Sequence, residues 1–483
     1  MRKSAYFGTG SRPEVAARPL ADSTPRDTQN RNFAILLTGR EKIRTVSVCC
    51  FAVGDYFRVA DNNCAKHLLG LKSFECDSMR TKNEVDRRLF LKCANLVGIA
   101  AWFQPVAASG PNPLQDAKPV HPGNTPQARG LPSPETILLK DYRPKSIYKI
   151  PVTEIDKAKY PIIDMHSHPY AKTAQQIEEW VKTMDEVGIQ KTVILTMATG
   201  TEFDDIYRKY SKYPDRFEMW CGLDLSGYDK QGFGPAAVKE LERCRQAGAR
   251  GVGEIHDKGN GLVSGKSKAP GMHPDDPRMD AVWERCGGLE MPISLHVADP
   301  IWMYQKMDKT NDGLMNAYHW RLDNKPNIVN LPGMMDIFDR TLAKHRGTTF
   351  IACHFANLDY DLARLGEMFD RNPNLHADIS ARYAETAPIP RFASKFYGKY
   401  ANRLVYGTDM GFDKPMYRVT FRILESLDEH FYETEQFDYH WSLNGFGLSD
   451  EILKQVYHDN AATLLAARTA TLDRAVDGNI LGR

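Results

Sequence analysis

Ile162-Ile163-Asp164-Met165-His166-Ser167-His168 reads as one short strand that ends in two imidazoles. Successive side chains of a strand alternate faces, so His166 and His168 project to the same side. Two imidazoles fixed at a strand end can grip one divalent cation without reorganising a loop. Half-buried strands also produce His-x-His by chance, so its meaning depends on the residues downstream of it. Acidic and histidine residues recur there, each at the end of another strand-like run.

Working outward, such apolar runs end near His168 and at Thr192–Met197, Phe217–Leu223, Arg250–Glu254, Pro292–His296, Thr349–His354, Leu375–Ser380 and Leu404–Asp409. Helical patterns lie between several of them. Ala174–Val187 places Ile177, Trp180, Val181 and Met184 on one face, with Gly188 where a C-terminal glycine cap belongs. Pro235–Ala247 repeats the pattern with Val238, Leu241, Cys244 and Gly248. Eight strands between Tyr160 and Asp409, at about 31 residues per unit, are the arithmetic of a (β/α)8 TIM barrel in the α/β class. A doubly wound sheet could use the same strands, but no Gly-rich turn follows the first one, and polar residues cluster at many strand ends.

In strand order those ends supply His166 and His168 (first), Glu254 (fourth), His296 (fifth), His354 (sixth) and Asp409 (eighth). In a barrel all of them face one cup. Histidines and carboxylates converging there fit Zn²⁺ or a similar first-row cation, with positions left for water and substrate. Each residue also has a structural alternative. Glu254 could cap a helix, His296 or His354 could be a satisfied core histidine, and Asp409 could be a helix N-cap.

In the order of these motifs, the chain resembles the amidohydrolase superfamily, specifically its amidohydrolase-related (decarboxylase-like) branch of TIM-barrel metal-dependent hydrolases. The resemblance spans about Tyr160 to Leu465. It rests on Asp164-Met165-His166-Ser167-His168, Ser294-Leu295-His296, Ala352-Cys353-His354, Gly407-Thr408-Asp409 and Asn460-Ala461-Ala462-Thr463-Leu464-Leu465. It implies that His166, His168, His296 and Asp409 are metal ligands, with His354 either a second-metal ligand or the catalytic base alongside Asp409. Glu254 departs from the branch's one-metal members and matches the bridging carboxylate of two-metal ones. The implied cofactor is one or two divalent ions, zinc first, with manganese or another first-row metal as the alternative. The implied activity is attack of metal-activated water on an ester, lactone, amide or similar bond. Two alternatives stay open: non-oxidative decarboxylation of an aromatic or unsaturated acid, and a non-catalytic barrel that only binds.

The stretch Val297 to Pro332 is long for a βα loop and carries Trp302, Met303, Tyr304, Tyr318, His319 and Trp320. Long loops often cover active sites, so an aromatic lid over an apolar or ring-bearing small molecule is expected, with Trp302 and Tyr304 touching it. His256, in the strand that carries Glu254, joins the substrate-binding set. Arg382 and Tyr383, just past the seventh strand, are placed to meet a substrate carboxylate; a surface ion pair is the alternative.

The remaining bounds are broad. With 483 residues, 42% hydrophobic and 26% charged, the chain has the composition of an ordinary globular protein. A net charge of +2 gives no argument for nucleic acid. No apolar run reaches the ~18–20 residues of a membrane span. Cys221, Cys244, Cys286 and Cys353 are widely spaced, without a C-x-x-C pair, and read as small buried residues. A homo-oligomer is left open.

Residues 1–78 show no sustained periodicity and read as an unstructured extension upstream of the true start at Met79, or as a disordered tail. Residues 79–109 have the layout of a signal peptide: Arg87-Arg88-Leu89-Phe90-Leu91-Lys92, a moderately apolar Cys93–Phe103, and small residues at Val106-Ala107-Ala108. The arginine pair resembles the twin-arginine export signal, with Asp86 where Ser or Thr is commoner. This gives a periplasmic or exported bacterial protein that meets the twin-arginine machinery. Residues 110–155 form a Pro-rich linker and lead-in, 156–470 the hydrolase barrel and 471–483 a tail.

Overall fold

A computed structural model describes residues 133–437 and 439–466, together with the backbone of a two-residue antiparallel pair, Ala52–Val53 with Tyr56–Phe57. The chain divides into two compact units, Met1–Gly123 and Asn124–Arg483. That short pair is the only part of the first unit described; the twin-arginine pattern, most of the Pro-rich linker and the tail 471–483 lie outside the described residues. No described helix is long and apolar enough to cross a membrane.

The second unit is a closed (β/α)8 barrel. Its strands are β1 (Ile162–Ser167), β2 (Ile189–Leu195), β3 (Phe217–Trp220), β4 (Val252–Asp257), β7 (Ile293–Val297), β8 (Phe350–Ala352), β9 (Leu375–Asp378) and β10 (Leu404–Val405). A hairpin of β5 (Gly261–Ser264) and β6 (Ser267–Pro270) extends from β4 and was not foreseen from the sequence. Parallel pairing runs β1-β2-β3 and β4-β7-β8-β9-β10. A parallel bridge from Cys221 to Val252 joins the two sets. The Met165 amide donating to the Tyr406 carbonyl (2.9 Å) closes the ring between β1 and the end of β10.

One helix follows each barrel strand: α1 (Ala174–Val187), α2 (Gly200–Tyr210), α3 (Phe233–Gln246), α4 (Asp280–Gly288), α5 (Leu331–Lys344), α6 (Leu362–Arg371), α7 (Pro390–Tyr400) and α8 (Lys414–Glu425). The first matches its sequence reading at both ends. Thr173 and Gln176 form a reciprocal capping box, Ile177, Trp180, Met184 and Val187 are buried, and Gly188 closes the helix at φ 90°. In α3, Leu241 and Cys244 are buried as the period requires.

Two apolar layers result. The larger lies between strands and helices. The smaller fills the barrel interior with Ile163, Met165, Val193, Leu195, Trp220, Ile351 and Val405, sealed by Ala461 and Leu465 of the last described helix, Asn460–Ala466. That helix is fixed at the amino end of β10 by Asn460, whose amide donates to the Ala401 (2.6 Å) and Leu404 (2.7 Å) carbonyls. The apolar side chains fill the lower interior, and the imidazoles and carboxylates of the sequence motifs gather at the carboxyl-end mouth.

At that mouth the backbone leaves the strands abruptly. Met197, Ala298, His354, Ala381 and Asp409 all have positive φ, between 50° and 62°, although none is glycine. Such conformations cost on the order of 1–3 kcal/mol each and persist only where surrounding contacts impose them. Hence β8 stops at Ala352 and β10 at Val405, before the histidine and aspartate that the sequence placed within the strand runs.

Candidate metal centre

The site is built by orienting imidazoles from behind. Asp378, wholly buried at the end of β9, accepts from His166 Nδ1 (2.9 Å), the His354 amide (2.9 Å), the Ser380 amide (3.1 Å) and Ser380 Oγ (2.5 Å). His168 Nδ1 donates to the Leu195 carbonyl (2.9 Å), and His354 Nδ1 to the Ser380 carbonyl (3.0 Å). A carbonyl can only accept, so Nδ1 carries a proton in both rings and Nε2 is the atom turned toward the cup. Metal-binding histidines are fixed in this way by partners behind them.

The three Nε2 atoms face two carboxylates. His168 Nε2 lies 3.2 Å from both Glu254 Oε2 and Asp409 Oδ1. His166 Nε2 is 3.8 and 3.7 Å from the same two oxygens. His354 Nε2 is 3.7 Å from the other pair, Glu254 Oε1 and Asp409 Oδ2. Each carboxylate thus presents one oxygen to His166 and His168 and the other to His354. His166 Nε2 is buried without any hydrogen-bond partner among the described residues.

Electrostatics reflect the crowding. Burial works against ionising Glu254, yet the facing imidazoles hold it well below the usual carboxylate range. Asp409 is lowered in the same way by His166 and His168. His168 is pushed up to about 10, since its contacts with Asp409 and Glu254 outweigh its burial. His354 is lowered, mainly by burial. A deprotonated Nε2 facing two carboxylate oxygens at 3.2 Å is repulsive unless a proton or a cation lies between them. Ligand atoms of His166, His168 and Asp409 lie within 4.8 Å of one another, as do those of His166, Glu254 and His354.

His296 is placed differently. Its Nδ1 lies 2.7 Å from Glu254 Oε1 and its Nε2 3.1 Å from Asp299 Oδ1, which also binds Lys258 Nζ (2.9 Å). Both ring nitrogens of His296 are thus engaged between carboxylates, with Glu254 shared between His296 and the other imidazoles. His256 sits 6.2 Å from His296 ring to ring, and its pKa falls to about 4 because it is buried.

Of the residues expected to touch substrate, Trp302 and Arg382 line a cavity of about 350 Å³ with Met303, Trp320, Met410 and Tyr439; Ala381 and Met410 in that lining are the chain neighbours of Ser380 and Asp409. The long loop supplies much of this wall through the turn Ile301–Tyr304 and the turn Tyr318–Trp320. Tyr304 accepts from the Asp299 amide (3.2 Å). Tyr383 is buried and donates its hydroxyl to the Gly407 carbonyl, which places it behind the cup. Arg382 is buried and engaged by Asn357 Oδ1 (2.6 Å), Asp359 Oδ1 (3.6 Å) and Glu385 Oε1 (3.5 Å).

Sequence reasoning missed Asp378, Ser380, Asp299, Lys258 and Tyr170, whose hydroxyl donates to Asp409 Oδ1 (3.1 Å). For Asp378 the signal was present, since it is an acid at a strand end like Asp409. Asp164 was quoted only as part of its motif. It accepts from the Thr408 hydroxyl (2.7 Å) and amide (3.1 Å), which ties β1 to the loop that carries Asp409.

Fold and site together define a (β/α)8 protein with a histidine–carboxylate cup at the carboxyl ends of its strands. The family model for amidohydrolases matches residues 153–466, and the chain belongs to that family. It is accordingly an enzyme of the amidohydrolase superfamily. No curated protein matches it. Similar solved structures include an uncharacterised TIM-barrel protein from Bordetella bronchiseptica, at 16% identity over 64% of this chain and 99% of that one, TM-score 0.42. A 4-oxalomesaconate hydratase from Rhodopseudomonas palustris shows 15% identity over 66% and 99%, TM-score 0.39. An IDCase from Metarhizium anisopliae shows 12% identity over 64% and 97%, TM-score 0.40. Likeness at that level says nothing of this chain's own reaction.

Proposed function

We propose that the protein is a metal-dependent hydrolase of an uncharged, ring-bearing or apolar ester, lactone or amide. The observation that carries this reading is the split presentation of Glu254 and Asp409, each with one oxygen toward His166 and His168 and the other toward His354. The orphaned, buried His166 Nε2 and the fixed Nδ1–H groups of all three rings fit a cation. His166, His168, Asp409, Glu254 and His354 would hold it, and the paired oxygens support two ions. An imidazole–carboxylate donor set favours zinc, with manganese second. A divalent ion bound there supplies Lewis acidity, which acidifies water and polarises a carbonyl.

The chain's own groups do the rest. Asp409, held ionised and braced by Tyr170, can accept a proton and return it to the leaving group. His354 stays neutral and presents Nε2 to the same space. His296, between Glu254 and Asp299, keeps Glu254 oriented. Trp302, Trp320 and Met410 on the wall of the neighbouring cavity favour an apolar ligand body.

The decarboxylase alternative needs a cation to receive a substrate carboxylate. Besides a bound ion, Arg382 is the cationic group on the cavity wall, and two carboxyl groups, Asp359 and Glu385, already flank it, so its surroundings do not favour a further anion. A barrel that only binds would have little reason to retain the whole histidine–carboxylate set. The deciding experiment compares metal content, hydrolysis of neutral chromogenic esters and lactones, and CO₂ release from aromatic acids. Glu254→Gln should lower metal content from two equivalents toward one and abolish hydrolysis. CO₂ release without any hydrolysis, from a protein holding one ion regardless of Glu254, would reject the proposal.

A further inference from the structure

A carbonyl under attack gathers negative charge on its oxygen, and a hydrogen-bond donor aimed there stabilises the transition state. The imidazoles of the cup do not supply that donor. His166, His168 and His354 turn Nδ1 to Asp378, the Leu195 carbonyl and the Ser380 carbonyl. An Nε2 atom that holds an ion has no hydrogen left for substrate. Among the described residues, the side-chain partners of Glu254 and Asp409 are imidazoles with one exception, Tyr170. Its hydroxyl lies 3.1 Å from both Asp409 Oδ1 and the Asp409 carbonyl. Oδ1 is the oxygen that faces His166 and His168, so the phenol stands at the wall of the cup.

Local structure fixes it there. The Tyr170 amide closes a three-residue turn onto the His168 carbonyl (2.6 Å), with Pro169 and its locked φ at the centre. The ring meets His168 edge-on at 5.8 Å and Trp180 at 6.5 Å. Trp180 in turn stacks on Phe412 (4.7 Å), in the loop that carries Asp409. Tyr170 is nonetheless 36% exposed, so an entering ligand can reach it.

Given the hydrolase function proposed above, on which this rests, we infer that Tyr170 is a further catalytic residue. It is a neutral donor that serves Asp409 before attack and the substrate oxyanion during it. Water gives its proton to Asp409 as its oxygen bonds the carbonyl carbon, and the C=O π pair moves onto the carbonyl oxygen. Negative charge thereby leaves the carboxylate and appears on that oxygen. The hydroxyl follows it by rotating about its own C–O bond, with no heavy atom displaced. Phenols ionise only near about 10, so Tyr170 keeps its proton throughout. When the bond to the leaving group breaks, the C=O π bond re-forms, and the leaving group takes the proton from Asp409. The hydroxyl then returns to Asp409. Its bond to substrate strengthens only in the transition state, so its loss falls on kcat and not on KM.

The test is Tyr170→Phe in the full, metal-loaded chain, which keeps the ring and its contacts. Metal content and the thermal transition should match the parent. For neutral esters kcat should fall about 100-fold, with KM within about twofold. Affinity for a benzylphosphonate monoester, a tetrahedral anion, should fall by a similar factor, while a neutral amide of the same ring binds as before. A mere brace for Asp409 would act through the proton given to the leaving group, so its loss would spare nitrophenyl esters and fall on alkyl esters. An equal loss for both is expected. Unchanged phosphonate affinity, a phosphonate that the parent does not bind, loss of metal, or a loss confined to alkyl esters overturns the inference. A parent that hydrolyses no ester or lactone removes the hydrolase reading instead; phosphonate binding needs no turnover and still decides whether Tyr170 is the donor.

Discussion

Replacing Asp378 by asparagine tests whether the cup is built from behind. The change preserves volume but converts an acceptor of four contacts into a group with one acceptor and one donor end. If the amide oxygen faces His166 Nδ1, its NH₂ is driven against the His354 amide, the Ser380 amide and Ser380 Oγ. If it is flipped, NH₂ opposes the Nδ1–H of His166. Either way a buried donor meets a donor. A charge-assisted hydrogen bond contributes about 1.5–3 kcal/mol, and an unsatisfied buried group costs about 1–3 kcal/mol. Asp378→Asn should therefore destabilise the barrel by about 3–5 kcal/mol, as losing one member of a buried pair does. It should also release His166 to the other tautomer and weaken metal retention about 10–100-fold. Urea unfolding monitored by tryptophan fluorescence reads the first effect, and metal content after dialysis against a graded chelator reads the second. Ser380→Ala, which keeps the carboxylate, should cost far less. A loss below about 1 kcal/mol with full metal retention in Asp378→Asn would refute the reasoning.

Three further outcomes are expected from other parts of the molecule. Asp359 and Glu385 share one guanidinium, and burial pushes Glu385 up to about 7; a raised carboxyl stabilises the fold below its unfolded pKa and loses that contribution as pH rises from about 4.5 to 7. Glu385→Gln should therefore gain on the parent over that window by about 3 kcal/mol, and parallel stability–pH curves for the two proteins would contradict it. Gly407→Ala would set a methyl group 2.8 Å from His166 Cβ and 3.2 Å from Ser380 Cβ, so unfolding should show a loss of about 1–3 kcal/mol together with reduced metal content. The twin-arginine reading of Arg87-Arg88 predicts that Arg87→Lys with Arg88→Lys retains precursor in the cytoplasm; fractionation and intact mass decide whether that reading stands.

Much of the barrel was legible because its signals are local. The α1 reading survives to the residue because capping box, 3.6-residue period and closing glycine all act within that segment. The β4 hairpin Gly261–Pro270 was not, since its antiparallel pairing gives short, weakly patterned strands. The role expected of Arg382 depends on partners a sequence cannot place beside it: Asn357 and Asp359 arrive from the loop after β8, and Tyr439, which donates to Glu385, from beyond α8. Tyr383 is similar, since its hydroxyl turns to Gly407 behind the cup and not toward the cavity.

The limit of residue-type reading is clearest in two histidines that look alike in sequence. Leu295-His296 and Cys353-His354 each put an imidazole at a strand-end position, and residue type cannot rank them. The structure separates them through the backbone. His296 is still within β7, and its ring is caught between Glu254 and Asp299 with both nitrogens engaged. His354 has already left β8 in a left-handed conformation, φ 58°, which Asp378 secures by accepting its amide. That turn lets Nδ1 face Ser380 and frees Nε2 for the cup. Asp409, at φ 53°, is turned the same way, its amide bonded to the His166 carbonyl at 2.9 Å. Two of the five strained positions at the mouth are thus groups whose ligand atoms must point inward, and the hydrogen bonds that hold the strain there also set the direction. Donor identity is written in the sequence; donor direction is imposed by Asp378, Asp164 and the barrel closure, which act across more than 200 residues of chain.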